Sequence, residues 1–179
     1  MKAAFVSLFL AVIFACAVPI HAQQPILPGM NPSACGSGRP NFSIKEDASA
    51  PAVTQAPDGK ALIHVIEQMP PVGLISTKVA VGVDGSWVGE TKPQTYVSFT
   101  VDPGVHHICA NYQGDAAVGE EGKTILRRLN VEAGHTYYLL YRGIFSRDSG
   151  EVAFFDEVDE DEGGYLLQTS QHVISTTKK

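Results

Sequence analysis

Cysteine numbers only 3, tryptophan 1, and Lys plus Arg 13 in a chain of 179 residues. Each shortage excludes something. With a net charge of −6 there is no basic stripe to neutralise phosphates, which argues against a nucleic-acid partner. The nearest candidate, Arg127-Arg128, is only a pair, and successive residues of a strand point to opposite faces. Cys16, Cys35 and Cys109 are too far apart for any zinc-site spacing. There is no Gly-x-Ser-x-Gly elbow for a nucleophilic serine. Gly36-Ser37-Gly38 lacks the flanking strand and helix that a phosphate-cradling loop needs. Beyond the first residues no apolar run is long enough to span a bilayer, so no transmembrane segment is expected after them.

The first 22 residues form one block. Met1-Lys2 supplies a charged start, Ala3 to Val18 an apolar run broken only by Ser7, and Ile20-His21-Ala22 a small residue at the exit. Those are the three parts of a secretory signal, with cleavage after Ala22, so the mature chain is expected to be periplasmic or secreted. Ile13-Phe14-Ala15-Cys16 loosely resembles a lipobox, but Phe14 is bulky for that motif and apolar residues continue past the cysteine. Cys16 therefore reads as part of the signal core, with lipid anchoring through it as the lesser alternative. In an oxidising compartment the two remaining cysteines, Cys35 and Cys109, invite a disulfide; separately buried thiols are the alternative.

Residues 23–56 read as a Pro-rich arm or linker, and 23–58 hold more than half of the 11 prolines. Asn41-Phe42-Ser43-Ile44 alternates polar and apolar, enough for a short strand against the body. The Asn41 sequon matters only in a eukaryotic secretory route. From Ala61 onward the period is two. Val79, Val81 and Val83 lead into Asp84-Gly85, a tight hairpin pair. Val97, Phe99 and Val101 end at Asp102-Pro103-Gly104, and further strands follow at Val105–Tyr112, Ile125–Val131, His135–Arg142 and Val152–Phe155. Gly114 to Gly122 reads as a small acidic loop. Asp159-Glu160-Asp161-Glu162 places negative charge where a helix begins, ahead of Tyr165-Leu166-Leu167. The fold expected is all-β: a small antiparallel sandwich of about seven to eight strands, transthyretin- or immunoglobulin-like, with a short C-terminal helix. It should span 57–171, with 172–179 as a flexible tail.

Five blocks occur in order: PDGKALIHVIE, VGVDGSWVGE, TYVSFTVDPGVHHICANYQ, VEAGHTYYLLY and DEDEGGYLLQ. Together they resemble the bacterial domain-of-unknown-function family numbered 2846, over roughly residues 57–170. The resemblance implies an exported, envelope-associated β-sandwich, often lipoprotein-like, and brings no catalytic residues to transfer.

Several residues are candidates for chemistry. His107 and Cys109 share a strand face, with His106 opposite, but a metal set needs His64 or His135 to converge on them. Asp156, Glu157 and the acidic run after them offer carboxylates for calcium, without the alternation of a calcium loop; a helix start explains them as well. Trp87, Tyr96, Tyr137, Tyr138 and Tyr141 fall on strands where some must point outward, and Trp87, Tyr96 and Tyr138 make a candidate surface for glycans or small ligands. The favoured reading is that these aromatics cover the core or the helix instead. No catalytic residue, metal or cofactor is assigned. The function expected is a non-enzymatic envelope interaction module with an unidentified protein, glycan or lipid partner. The alternatives are a glycan-binding domain and a thiol- or metal-dependent enzyme at His107 and Cys109.

Overall fold

The computed structural model describes residues 33–38, 40–47, 55–69, 78–113, 124–146 and 150–178. The expected signal 1–22 with Cys16, and the acidic loop 114–122, lie outside the described residues. The strands are β1 (Phe42–Glu46), β2 (Ala61–Glu67), β3 (Lys78–Val83), β4 (Ser86–Thr91), β5 (Thr95–Val101) and β6 (Gly104–Gln113). They continue as β7 (Thr124–Val131), β8 (Thr136–Ser146), β9 (Gly150–Val158) and β10 (Gln171–Thr177), with helix α1 (Glu160–Gln168) between the last two.

Two sheets form a sandwich: a large one ordered β1-β10-β5-β2-β8-β9, and a small one ordered β4-β3-β6-β7. The all-β sandwich with a short terminal helix is what the alternation predicts. The small sheet is antiparallel throughout, as expected. The large sheet is mixed, because β2 runs parallel to β8 and β5 parallel to β10. Alternation fixes which face of a strand is buried but says nothing about the direction of its neighbour.

Between the sheets lies one core, built from Ala61, Ile63 and Val65 of β2, Val79 and Val81 of β3, Ile108 and Ala110 of β6, and Leu139 and Tyr141 of β8. A second, smaller cluster sits on the outer face of the large sheet, where Leu166 of α1 packs with Ile66, Tyr96, Tyr138 and Leu140. Strand β2 is thus buried on both faces, which is why Ala-Leu-Ile-His-Val-Ile-Glu reads as a nearly continuous apolar run.

Two expectations about the ends of the domain are corrected. Residues 171–177 are not a flexible tail: they form β10, lodged between β1 and β5. Gln171, His172, Ser175, Thr176 and Thr177 hide this in a polar composition, yet Val173 is buried in the core. The Pro-rich arm is no free linker where it is described. Ala34 and Cys35 are buried against the small sheet, and Phe42–Glu46 is the edge strand β1, so the body begins well before residue 57.

The hairpin between β3 and β4 turns at Asp84 (φ 47°) and Gly85 (φ 87°), both left-handed as a type I′ turn requires. On the far side of β4, Gly89 lets two elements close in. A Cβ there would lie 2.7 Å from Val97 Cγ2 and 3.2 Å from Ser175 Oγ. That space admits the Ser175 hydroxyl, which accepts from the Glu90 N–H at 2.9 Å and donates to the Glu90 carbonyl at 3.2 Å. One side chain of β10 so occupies the backbone edge of β4 and joins the two sheets along that seam. Along the opposite seam Arg127 of β7 pairs with Glu157 of β9 at 2.7 Å.

Candidate functional site

The outer face of the small sheet carries the first site candidate. Cys35 and Cys109 come to disulfide distance there, with their Cα atoms 5.2 Å apart. The arm crosses directly over Gly82, where a Cβ would stand 3.0 Å from Cys35 Cα and 3.3 Å from the Ala34 carbonyl oxygen. Trp87 packs in the same small cluster, and its indole N–H donates to the Gly38 carbonyl at 3.3 Å. Trp87 therefore braces the arm.

Tyr96 and Tyr138 are the clearer correction. Both are buried on the outer face of the other sheet, beneath α1, and lie far from Trp87 in the fold. Gly163 fits the helix onto Tyr138 so closely that a Cβ would meet the ring at 2.3 Å. The three aromatics proposed as one exposed surface occupy opposite sides of the sandwich, and the two tyrosines cover the second core. Tyr141 lies in the main core, and Tyr137 accepts from the Glu132 N–H at 2.9 Å.

His64 completes that aromatic layer. It is fully buried at 0% exposure, stacked on Tyr138 with centroids 5.3 Å apart, and edge-on to Tyr96 at 5.9 Å. Its Nδ1 shares a 2.8 Å hydrogen bond with Ser98 Oγ, while its Nε2 is buried with no partner. Burial, with the nearby His172 adding to it, lowers the His64 pKa to about 4. His172, on β10, tilts against Tyr96 at 5.1 Å and also has a buried, unpartnered Nδ1.

The His106-His107-Cys109 cluster dissolves by alternation. His107 and Cys109 share the outer face of the small sheet, as read from the sequence, but Cys109 is taken by Cys35. His106 turns the other way and ties two loops: its Nδ1 lies 2.5 Å from Asp84 Oδ2 and its Nε2 2.7 Å from the Asp102 carbonyl oxygen. His64 is on the opposite side of the sandwich, and His135 is in the exposed turn before β8. Among the described residues no three His, Cys, Asp or Glu side chains gather as a metal would need.

The acidic candidates are also dispersed. Asp156 pairs with Arg142 at 3.1 Å and Glu157 with Arg127 at 2.7 Å. Asp159 caps α1, accepting from the Glu162 N–H at 2.9 Å, which is the helix-start role its position suggests.

One buried acid was not singled out from the sequence. Glu67 ends β2 facing the main core at 0% exposure. The Thr91 hydroxyl lies 2.8 Å from Glu67 Oε2 and 3.3 Å from the Val79 carbonyl oxygen, and Glu67 Oε1 has no partner. Thr91 has one proton to serve two acceptors, so a neutral Glu67 that brings its own proton fits better than a carboxylate. Burial agrees, raising the Glu67 pKa to about 7 against the opposing Thr91 hydrogen bond. Glu67 follows Ile63 and Val65 on the inward-facing side of β2, which no local alternation marks in a strand buried on both faces.

Among the described residues, the outer face of the β6–β7 half of the small sheet is left uncovered. Leu126 is 54% and Val105 44% exposed, with the exposed His107 and Arg128 paired across the strands between them. No family model, curated protein or solved structure matches this chain. Among the described residues no helix is long and apolar enough to cross a membrane.

Proposed function

We propose that the mature chain is an exported β-sandwich that serves as a non-enzymatic interaction module of the bacterial cell envelope, as the likeness to family 2846 implies. The observation that supports this best is the open β6–β7 face beside the cysteine clip. Leu126 and Val105 give it apolar area, and Arg128 with His107 give it a polar centre. Isolated exposed apolar residues are ordinary; two on one flat sheet face flanking the Arg128 guanidinium and the His107 imidazole make a contact surface. The groups that would otherwise suggest chemistry are engaged in structure: Cys109 by Cys35, His106 by Asp84 and Asp102, and the acidic run by the helix start.

A photo-crosslinking residue at Leu126, compared with one at the exposed Tyr165 on α1, tests the reading in the native host. Adducts to one envelope component from position 126 alone support it. No adduct at position 126, or the same adducts at both positions, sinks it. The intact mass of the native protein tests export: a chain starting at Gln23 is expected, and one retaining residues 1–22 contradicts it.

A further inference from the structure

The unit α1–β10 is held by Val173, buried in the inter-sheet core, and by a small set of contacts at the outer face and the strand edges. Leu166 and Gly163 press on Ile66, Tyr96, Tyr138 and Leu140. Gln68 Nε2 donates to Ser170 Oγ at 2.6 Å. The ladder to β5 covers only Gln171↔Thr95 and His172↔Tyr96, with the Gln171 N–H also donating to the Gln94 carbonyl at 2.9 Å. Farther along, the Ser175 hydroxyl seam holds β10 to β4. The helix contact and the ladder to β5 each have a histidine under them. His64 lies below Tyr138 and Tyr96, where the helix sits, and His172 lies in the two-residue ladder itself. Both keep a ring nitrogen buried without an acceptor.

We propose that α1–β10 is an acid-released latch, in which protonation of His64 and His172 lifts α1 from the outer face of the large sheet and frees β10 from β5 and from the Ser175 seam, taking with it β1, which pairs with β10. A proton added at either unpartnered nitrogen finds no acceptor in the docked state, whereas the undocked imidazole is hydrated. The groups facing the two rings do little to offset this. Strand β5 contributes Tyr96 and Ser98, and β8 contributes Tyr138. From α1, Glu160 acts on Tyr138, while Glu162 and Asp156 are occupied by Arg142. Only Asp47, whose N–H donates to the His172 carbonyl at 3.0 Å, favours a protonated His172, and burial outweighs it. Glu67 belongs to the opposite face of β2 and to the main core.

Neither histidine lies in the inter-sheet core, and Val173 is the one buried residue that β10 contributes to it, so the latch should open while β3 and β6 keep their own ladder. With the docked His64 titrating near 4 and a released one near 6.5, docking weakens ~30-fold from pH 8 to pH 5 through His64 alone. Amide hydrogen exchange on the full mature chain, corrected for intrinsic rates, reads this directly. Protection across 160–177 should fall by about that factor, while β3 and β6 keep theirs and Trp87 emission holds steady. The doubly substituted His64→Asn, His172→Gln chain should lose the pH response. If His64→Asn does not fold, His172→Gln alone should still reduce it. Equal loss of protection in α1–β10 and in β3 and β6, no loss at pH 5, or an undiminished response in the folded variants would each overturn the proposal.

Discussion

His106 and Glu67 show how much a single residue's surroundings decide. Both ring nitrogens of His106 face acceptors, a carboxylate and a carbonyl, which is the pattern an imidazolium satisfies. Burial alone would lower its pKa, but Asp84 and Asp102 outweigh it and raise it. A raised histidine stabilises the fold fully below about pH 6.5 and loses that contribution as pH climbs through the folded value. His106→Gln should therefore cost most stability at pH 5.5 and progressively less toward pH 9, as measured by urea denaturation. Glu67 has the same sign for a different reason. Its neutral form is favoured in the core, so the fold loses stability between about pH 4.5 and 7 as the unfolded chain ionises. Glu67→Gln should match the parent below pH 4.5 and exceed it by pH 8, by on the order of 3 kcal/mol at most. A variant no more stable at pH 8 would mean that Glu67 ionises without penalty.

The helix shows what is legible in an element and what is not. Asp159 and the acidic run mark its start in the sequence, and the cap forms as read. Which of its glycines meets the sheet was not legible, because nothing local says which one touches a neighbour. Gly163 and Gly164 stand side by side, yet only Gly163 meets a ring. Opposite outcomes follow. Gly164→Ala should stabilise by up to about 1 kcal/mol through helix propensity, whereas Gly163→Ala should destabilise despite the same propensity gain. Thermal melts of the two variants check it, and the same sign for both would refute the packing. For the aromatic strands the reading that holds is the one in which they cover the helix: Tyr96 and Tyr138 lie on the outer face beneath α1. Turns were the most legible elements, since Asp84-Gly85 encodes its own geometry.

At the scale of the whole molecule, the pairing of strands distant in sequence was the least legible feature. The β1–β10 and β2–β8 contacts are made by residues with no local signature for each other. The polar run 171–177 reads as a tail until its partners are known. The cysteine pair was legible, because only one pairing of Cys35 with Cys109 exists once the signal is set aside. Its placement means the arm straps both sheets: Cys35 sits on the small one and Phe42–Glu46 lies in the large one. Cys35→Ala paired with Cys109→Ala should lower unfolding stability by up to ~4 kcal/mol on the loop-entropy account. It should also loosen β1 more than β3, as exchange of the Phe42–Glu46 amides would report; an unaffected β1 would mean the arm is held without the clip.

The position of β10 governs the order in which the large sheet is assembled. Phe42–Glu46 emerges first of all the strands described here, yet its ladder partner in the sheet, β10, is the last to arrive. A chain delivered from its N-terminal end would hold β2, β5 and β8 in register while one edge of β5 stays open and β1 waits unpaired. Folding would end by threading residues 171–177 into a two-sided slot. Chains shortened before Gln171 would lose two strands instead of one, which makes the length of the C-terminal segment a checkpoint on completion of the sheet.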